Sequence, residues 1–101
     1  MSIQHTVIFR LNHSLDSPQA AAFFADARAL LSSIPGVQQF TIQRQVSEKS
    51  DLTHQLSMVF ADESAYLAYN EHPTHVAFVA NRWLPEVAEF QEYDFTEVEG
   101  D

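Results

Sequence analysis

Ile3-Gln4-His5-Thr6-Val7-Ile8-Phe9-Arg10-Leu11 alternates with a period of two residues. Ile3, His5, Val7, Phe9 and Leu11 fall on one face, and Gln4, Thr6, Ile8 and Arg10 fall on the other. That pattern predicts a strand with one face in a core. Asn12-His13-Ser14 ends the alternation, and the period then changes. Ser17-Pro18 reads as an N-cap followed by proline at the first helical position. Phe23, Ala27, Leu30, Leu31 and Ile34 recur at helical spacing, and Pro35-Gly36 ends the helix after about four turns.

Beyond that stop, Val37 to Val46 alternates again, with Phe40, Ile42, Arg44 and Val46 together. The polar run Ser47 to Leu52 connects it to a third strand, Thr53 to Phe60, which places His54, Leu56, Met58 and Phe60 on one face. Asp62 caps a second helix from Glu63 to about Glu71. Proline disfavours helical geometry in the residue before it, so His72-Pro73 interrupts that helix. A further helical piece is expected from Thr74 to about Leu84, and after Pro85 a last strand from Phe90 to Val98. The order is β-α-β-β-α-β, which predicts a single α+β domain over residues 1–101. The fold expected is ferredoxin-like, with a four-stranded antiparallel sheet and both helices on one face. Its first and third strands should be central and adjacent, with the faces carrying His5 and His54 beneath the helices.

The opposite sheet face is short of charge. On the first three strands it reads Gln4, Thr6, Ile8, Arg10, Gln39, Thr41, Gln43, Gln45, Gln55, Ser57 and Val59, with one charge in eleven positions. A chain of net charge −9 would be expected to show water more charge than this. Amide and small side chains with scattered Ile and Val suit a face covered by a second copy, which would also protect the sheet edges. A homodimer is therefore expected; the alternative is a monomer with a mildly polar face.

Composition narrows the remaining classes. The chain has 101 residues, 46% hydrophobic content and eight Phe, enough for one modest core. It has no Cys, which excludes disulfides and thiolate chemistry. An excess of acidic residues repels phosphate backbones and anionic lipid, so neither nucleic acid nor membrane is an expected partner. The N-terminal residues show no basic region followed by an apolar run, and a cytoplasmic setting is expected. The two glycines, Gly36 and Gly100, form no phosphate-cradling loop, so no nucleotide cofactor is expected. The acidic run Glu86, Glu89, Glu92, Asp94, Glu97 and Glu99 reads as a solvated edge and tail.

Against this background the histidines stand out. His5 and His54 lie on apolar faces, where an imidazole costs free energy unless it is hydrogen-bonded. A satisfied structural histidine is the commoner outcome, and a pocket-lining role is the alternative. An unperturbed histidine titrates near neutrality, which would suit His75 to proton transfer. Tyr69, six residues earlier on the helix before the His72-Pro73 break, could donate a hydrogen bond to a carbonyl and stabilise an enolate. The plainer reading is that His75 braces the helix start and Tyr69 fills the core. His72 and His75 at i, i+3 could bind a metal, but no carboxylate falls at a matching spacing and no metal is expected. His72 is expected to order the turn.

Three stretches carry a family resemblance: Gln4-His5-Thr6-Val7-Ile8-Phe9-Arg10-Leu11, Ile34-Pro35-Gly36-Val37, and above all Tyr69-Asn70-Glu71-His72-Pro73-Thr74-His75-Val76-Ala77-Phe78. Together with Tyr93-Asp94-Phe95 they resemble the stress-responsive α/β-barrel domain (Dabb) family along essentially the whole chain. The resemblance implies a dimeric α/β barrel. It also implies a pocket where Tyr69 and His75 match catalytic positions of cofactor-free polyketide cyclases in the family. His5 and His54 match lining positions there, and Val7 and Phe78 are their expected neighbours against a substrate. The second strand around Thr41 and Gln43 and the short loop Ser47 to Leu52 depart from the cyclases. Three functional classes follow: an acid–base enzyme acting on a carbonyl compound, a ligand-binding stress protein without turnover, and a cofactor-independent monooxygenase of related barrels.

Overall fold

The computed structural model of the chain describes residues 1–99; Gly100 and Asp101, the last two residues of the expected domain, lie outside the described residues. Strands β1 (Ile3–Leu11), β2 (Gln38–Arg44), β3 (His54–Phe60) and β4 (Val87–Phe95) form one antiparallel sheet in the order β2-β3-β1-β4. The expected β-α-β-β-α-β order is realised, with β1 and β3 central. Helices α1 (Pro18–Leu31), α2 (Glu63–Glu71) and α3 (Pro73–Phe78) cover one sheet face.

Local chemistry sets these boundaries. The Ser17 hydroxyl accepts the Ala20 N–H at 3.1 Å, and Asp62 accepts the Ala65 N–H at 2.8 Å, so each helix begins where a side chain can satisfy an otherwise orphaned donor. The His72 ring performs the same service for α3, accepting the Thr74 N–H at 3.1 Å. Gly36 follows Pro35 at φ 91°, a left-handed conformation that glycine adopts without a Cβ penalty. Gln39 takes φ 50° where β2 gains an extra residue opposite β3.

The end of the helical layer departs from the sequence reading. Proline has no N–H and its ring crowds the carbonyl four residues back, so the helix was expected to stop before Pro85. Instead Val79–Trp83 widens into a π-type turn in which Leu84 N–H bonds to the Val79 carbonyl, and Leu84–Glu86 (α4) continues helical through the proline. A widened turn gives the ring room. The last strand consequently starts at Val87 rather than Phe90, and ends at Phe95.

Between sheet and helices, Phe9, Phe23, Met58 and Phe60 are fully buried. Phe9 lies 6.0 Å from Phe23 and 5.0 Å from Trp83, and Phe23 lies 5.6 Å from Phe78, by ring centroids. Burial of each such ring contributes roughly 1.5–3 kcal/mol. On the uncovered face Thr6 and Ser57 are buried and linked by a 3.3 Å hydroxyl bond, while Tyr93 and Phe95 of β4 stack there half-exposed. Among the described residues no helix is long and apolar enough to cross a membrane.

Candidate functional site

A cavity of about 220 Å³ opens between the sheet and α3. The β1 alternation sends His5 and Val7 into its floor, and α3 sends His75 and Phe78 into its wall. Tyr69 enters from the last turn of α2, and Trp83 from the π-type turn. Five of the six expected site residues, His5, Val7, Tyr69, His75 and Phe78, therefore come together around one space.

The Tyr69 and His75 rings are 4.4 Å apart at 46°. His75 Nδ1 lies 3.0 Å from the Asn70 carbonyl oxygen, which can only accept. The ring thus carries its proton on Nδ1 and keeps a lone pair on Nε2. Burial holds the His75 pKa below its ordinary value, and nearby His5 adds to this; the Asn70 carbonyl and Glu92 oppose it. His75 is accordingly a neutral acceptor near pH 7. Burial pushes the Tyr69 phenol well above its ordinary range, with Tyr66 and Glu92 adding to the effect. It stays protonated and available as a donor.

His5 is held from behind. Its Nδ1 is 2.7 Å from Asp94 Oδ1 and 2.9 Å from the Tyr66 hydroxyl, which itself donates to Asp94 Oδ2 at 3.0 Å. Burial, reinforced by Asp94, raises the Tyr66 pKa, so this phenol also keeps its proton. The ring's other nitrogen, Nε2, is 3.8 Å from Glu92 Oε2. A carboxylate that fixes an imidazole from one side and leaves the other nitrogen to a pocket is a standard way to orient a proton-handling group.

The acidic run is the solvated edge expected, with Glu92 and Asp94 about half exposed on edge strand β4. These two also face His5, a role the sequence reading did not assign them. Antiparallel pairing sets Asp94 opposite His5 and Glu92 opposite Val7, on the helix-covered face. Tyr66 was absent from the expected set as well. Its spacing of three from Tyr69 puts both on one helix face, and the alternation Phe90, Glu92, Asp94 opposite Tyr93 and Phe95 was a usable signal.

His54 does not join the cavity. It occupies the expected face, but its cross-strand partner is Phe9, four residues along β1 from His5, or about 13 Å at strand rise. It packs 4.4 Å from the Phe24 ring, bonds to Thr53 Oγ1 at 2.9 Å, and lines a separate depression with Arg10 and His13. Burial, with Arg44, lowers its pKa. Strand parity was legible; position along the strand was not. His72, capping α3, has its Nδ1 engaged.

The geometry can be set beside known proteins. The Dabb family model, described as a stress responsive A/B barrel domain, matches residues 3–97. No curated protein matches the chain. A Dabb family protein with a ferredoxin-like fold from Mesorhizobium loti MAFF303099 is 47% identical over 96% of this chain and 97% of its own, at a TM-score of 0.95. A dimeric ferredoxin-like protein of unknown function from Thermobifida fusca YX is 21% identical over 96% and 92% of the two chains, at 0.80. A hydroxynitrile lyase from Passiflora edulis is 18% identical over 97% and 94%, at 0.83. The last two likenesses are of fold alone.

Proposed function

The chain belongs to the stress responsive A/B barrel domain (Dabb) family, and on that premise we propose a homodimeric, cytoplasmic protein whose sheet–helix cavity binds a small, partly apolar molecule and performs cofactor-free acid–base chemistry on it. The observation that carries this reading is the Tyr69–His75 pair, 4.4 Å apart on one cavity wall with a protonated phenol beside a neutral imidazole. His75 Nε2 takes a proton from carbon next to a carbonyl. Tyr69 donates a hydrogen bond to the carbonyl oxygen as it gains enolate charge. The enolate then closes on a second carbonyl, or the reverse path splits a carbon–carbon bond, and imidazolium returns the proton. His5, held by Asp94 and Tyr66, orients the ligand from the floor.

The dimer is assigned to the uncovered sheet face, where Tyr93, Phe95, Ile8 and Val59 supply apolar contact and charge is sparse. Similar structures described as dimeric ferredoxin-like proteins support it.

The test is turnover of a panel of small β-dicarbonyl and cyanohydrin substrates. His75→Ala and Tyr69→Phe are each expected to lower kcat/KM by about 10²-fold or more. Unchanged rates in both would leave the cavity as a binding site without catalysis.

A further inference from the structure

The cavity carries negative charge at its mouth and no fixed positive charge. Glu92 lines it, with its side chain half exposed on edge strand β4 and Oε2 3.8 Å from His5 Nε2. Asp94 lies directly behind the same ring. No lysine or arginine lines the cavity among the described residues. Arg10 pairs with Glu89, and Arg82 pairs with Glu86 and Asp26. Arg44 sits opposite His54, away from the cavity. Whatever charge the single His5 ring holds, two carboxylates outnumber it. Apart from Asn70, Tyr69 and His75 the remaining walls are apolar, with Phe78, Trp83 and Phe90 around a space worth about seven waters of liquid volume. That is room for one ring with a short arm.

Resting on the cavity as the binding site, we propose that Glu92 is its specificity-determining residue, selecting single-ring ligands whose arm ends in a protonated amine or a neutral donor and rejecting those that end in a carboxylate. A cationic arm meets Glu92 at the mouth and the faces of Trp83 and Phe90 beside it. A carboxylate arm there meets like charge with no guanidinium or ammonium to receive it. Acidic substrates are thereby turned away from a site whose acid–base groups could otherwise act on them.

Trp83 is the only tryptophan, so its fluorescence reports occupancy of this cavity. Three probes of one shape separate the terms: 2-phenylethylamine, 2-phenylethanol and phenylacetate, titrated into the intact protein at low ionic strength. The amine is expected to bind about tenfold more tightly than the acid, with the alcohol between them. In Glu92→Gln the amine-to-acid ratio should fall to about twofold, and in wild-type protein 1 M salt should narrow it in the same direction. Equal binding of amine and acid, or a ratio untouched by Glu92→Gln with an unchanged amide NMR spectrum, overturns the assignment to Glu92 while leaving the cavity intact. Failure of the neutral alcohol to move Trp83 fluorescence overturns the cavity reading itself, and this inference with it.

Discussion

His5 Nδ1 lies 2.7 Å from Asp94 Oδ1, joining the start of the first strand to the end of the last across 89 positions of sequence. The Tyr66 hydroxyl closes the set by meeting both partners, so a helix is tied to two strands through one carboxylate. Charge-assisted bonds of this kind are short and directional, and they fix a ring's orientation more firmly than packing does. The consequence is that the cavity floor is a positioned imidazole rather than a freely rotating one.

Asp94→Asn keeps the shape and removes the charge. It is expected to lower stability by about 1 kcal/mol, since the carboxylate is partly exposed. It should also change the ¹⁵N shifts of the His5 ring, because an amide can donate to Nδ1 as well as accept from it. Urea unfolding and ring-nitrogen NMR measure the two effects; an unaltered His5 ring spectrum would contradict the orienting role.

His54 and His75 both titrate below the ordinary value of 6.5 because burial disfavours the imidazolium. Above 6.5 the ring is neutral in folded and unfolded chains alike. As pH falls through that value the unfolded chain takes up protons that the folded chain resists, so their contribution destabilises the fold on the acid side. Thermal unfolding between pH 5 and 8 is expected to show Tm declining below about 6.5. His54→Phe should flatten the decline, and a slope as steep as wild type would remove His54 from the account.

Phe23 is fully buried and packs against Phe9, Phe24, Phe78 and Trp83. Phe23→Ala is expected to cost about 3–5 kcal/mol by lost transfer energy and the cavity left behind. The midpoint of denaturant unfolding measures it.

Gly36 at φ 91° is constrained by backbone rather than by space, for an added Cβ would meet the Ala65 Cβ at an ordinary 3.6 Å. Gly36→Ala is expected to destabilise by about 1–2 kcal/mol through left-handed strain alone. A loss near zero would mean that the turn can reorganise.

Phe95 is half-exposed and stacks with Tyr93 on the uncovered sheet face. Phe95→Lys is expected to shift a dimer toward monomer in light scattering at micromolar concentration, with little change in far-UV circular dichroism. A dimer of undiminished affinity would move the proposed interface elsewhere.

The alternation from Ile3 to Leu11, the caps at Ser17 and Asp62, and the breaks at Pro35-Gly36 and His72-Pro73 determined the element order and the faces of the first three strands. They could do so because each is a property of residues within a few positions of one another. The grouping of His5, Val7, Tyr69, His75 and Phe78 as neighbours came from a family resemblance rather than from those local signals, and the resemblance grouped His54 with them. Tertiary structure decided the rest. The register of β4 against β1, not its composition, brought Glu92 and Asp94 of that solvated edge to the mouth and backing of the site. The π-type turn that carries the helix through Pro85 placed Trp83 and started that strand three residues early. Strand parity repeats every two residues and can be read locally. Register along the strand axis is settled by which distant side chains pack together, and no local pattern contains it.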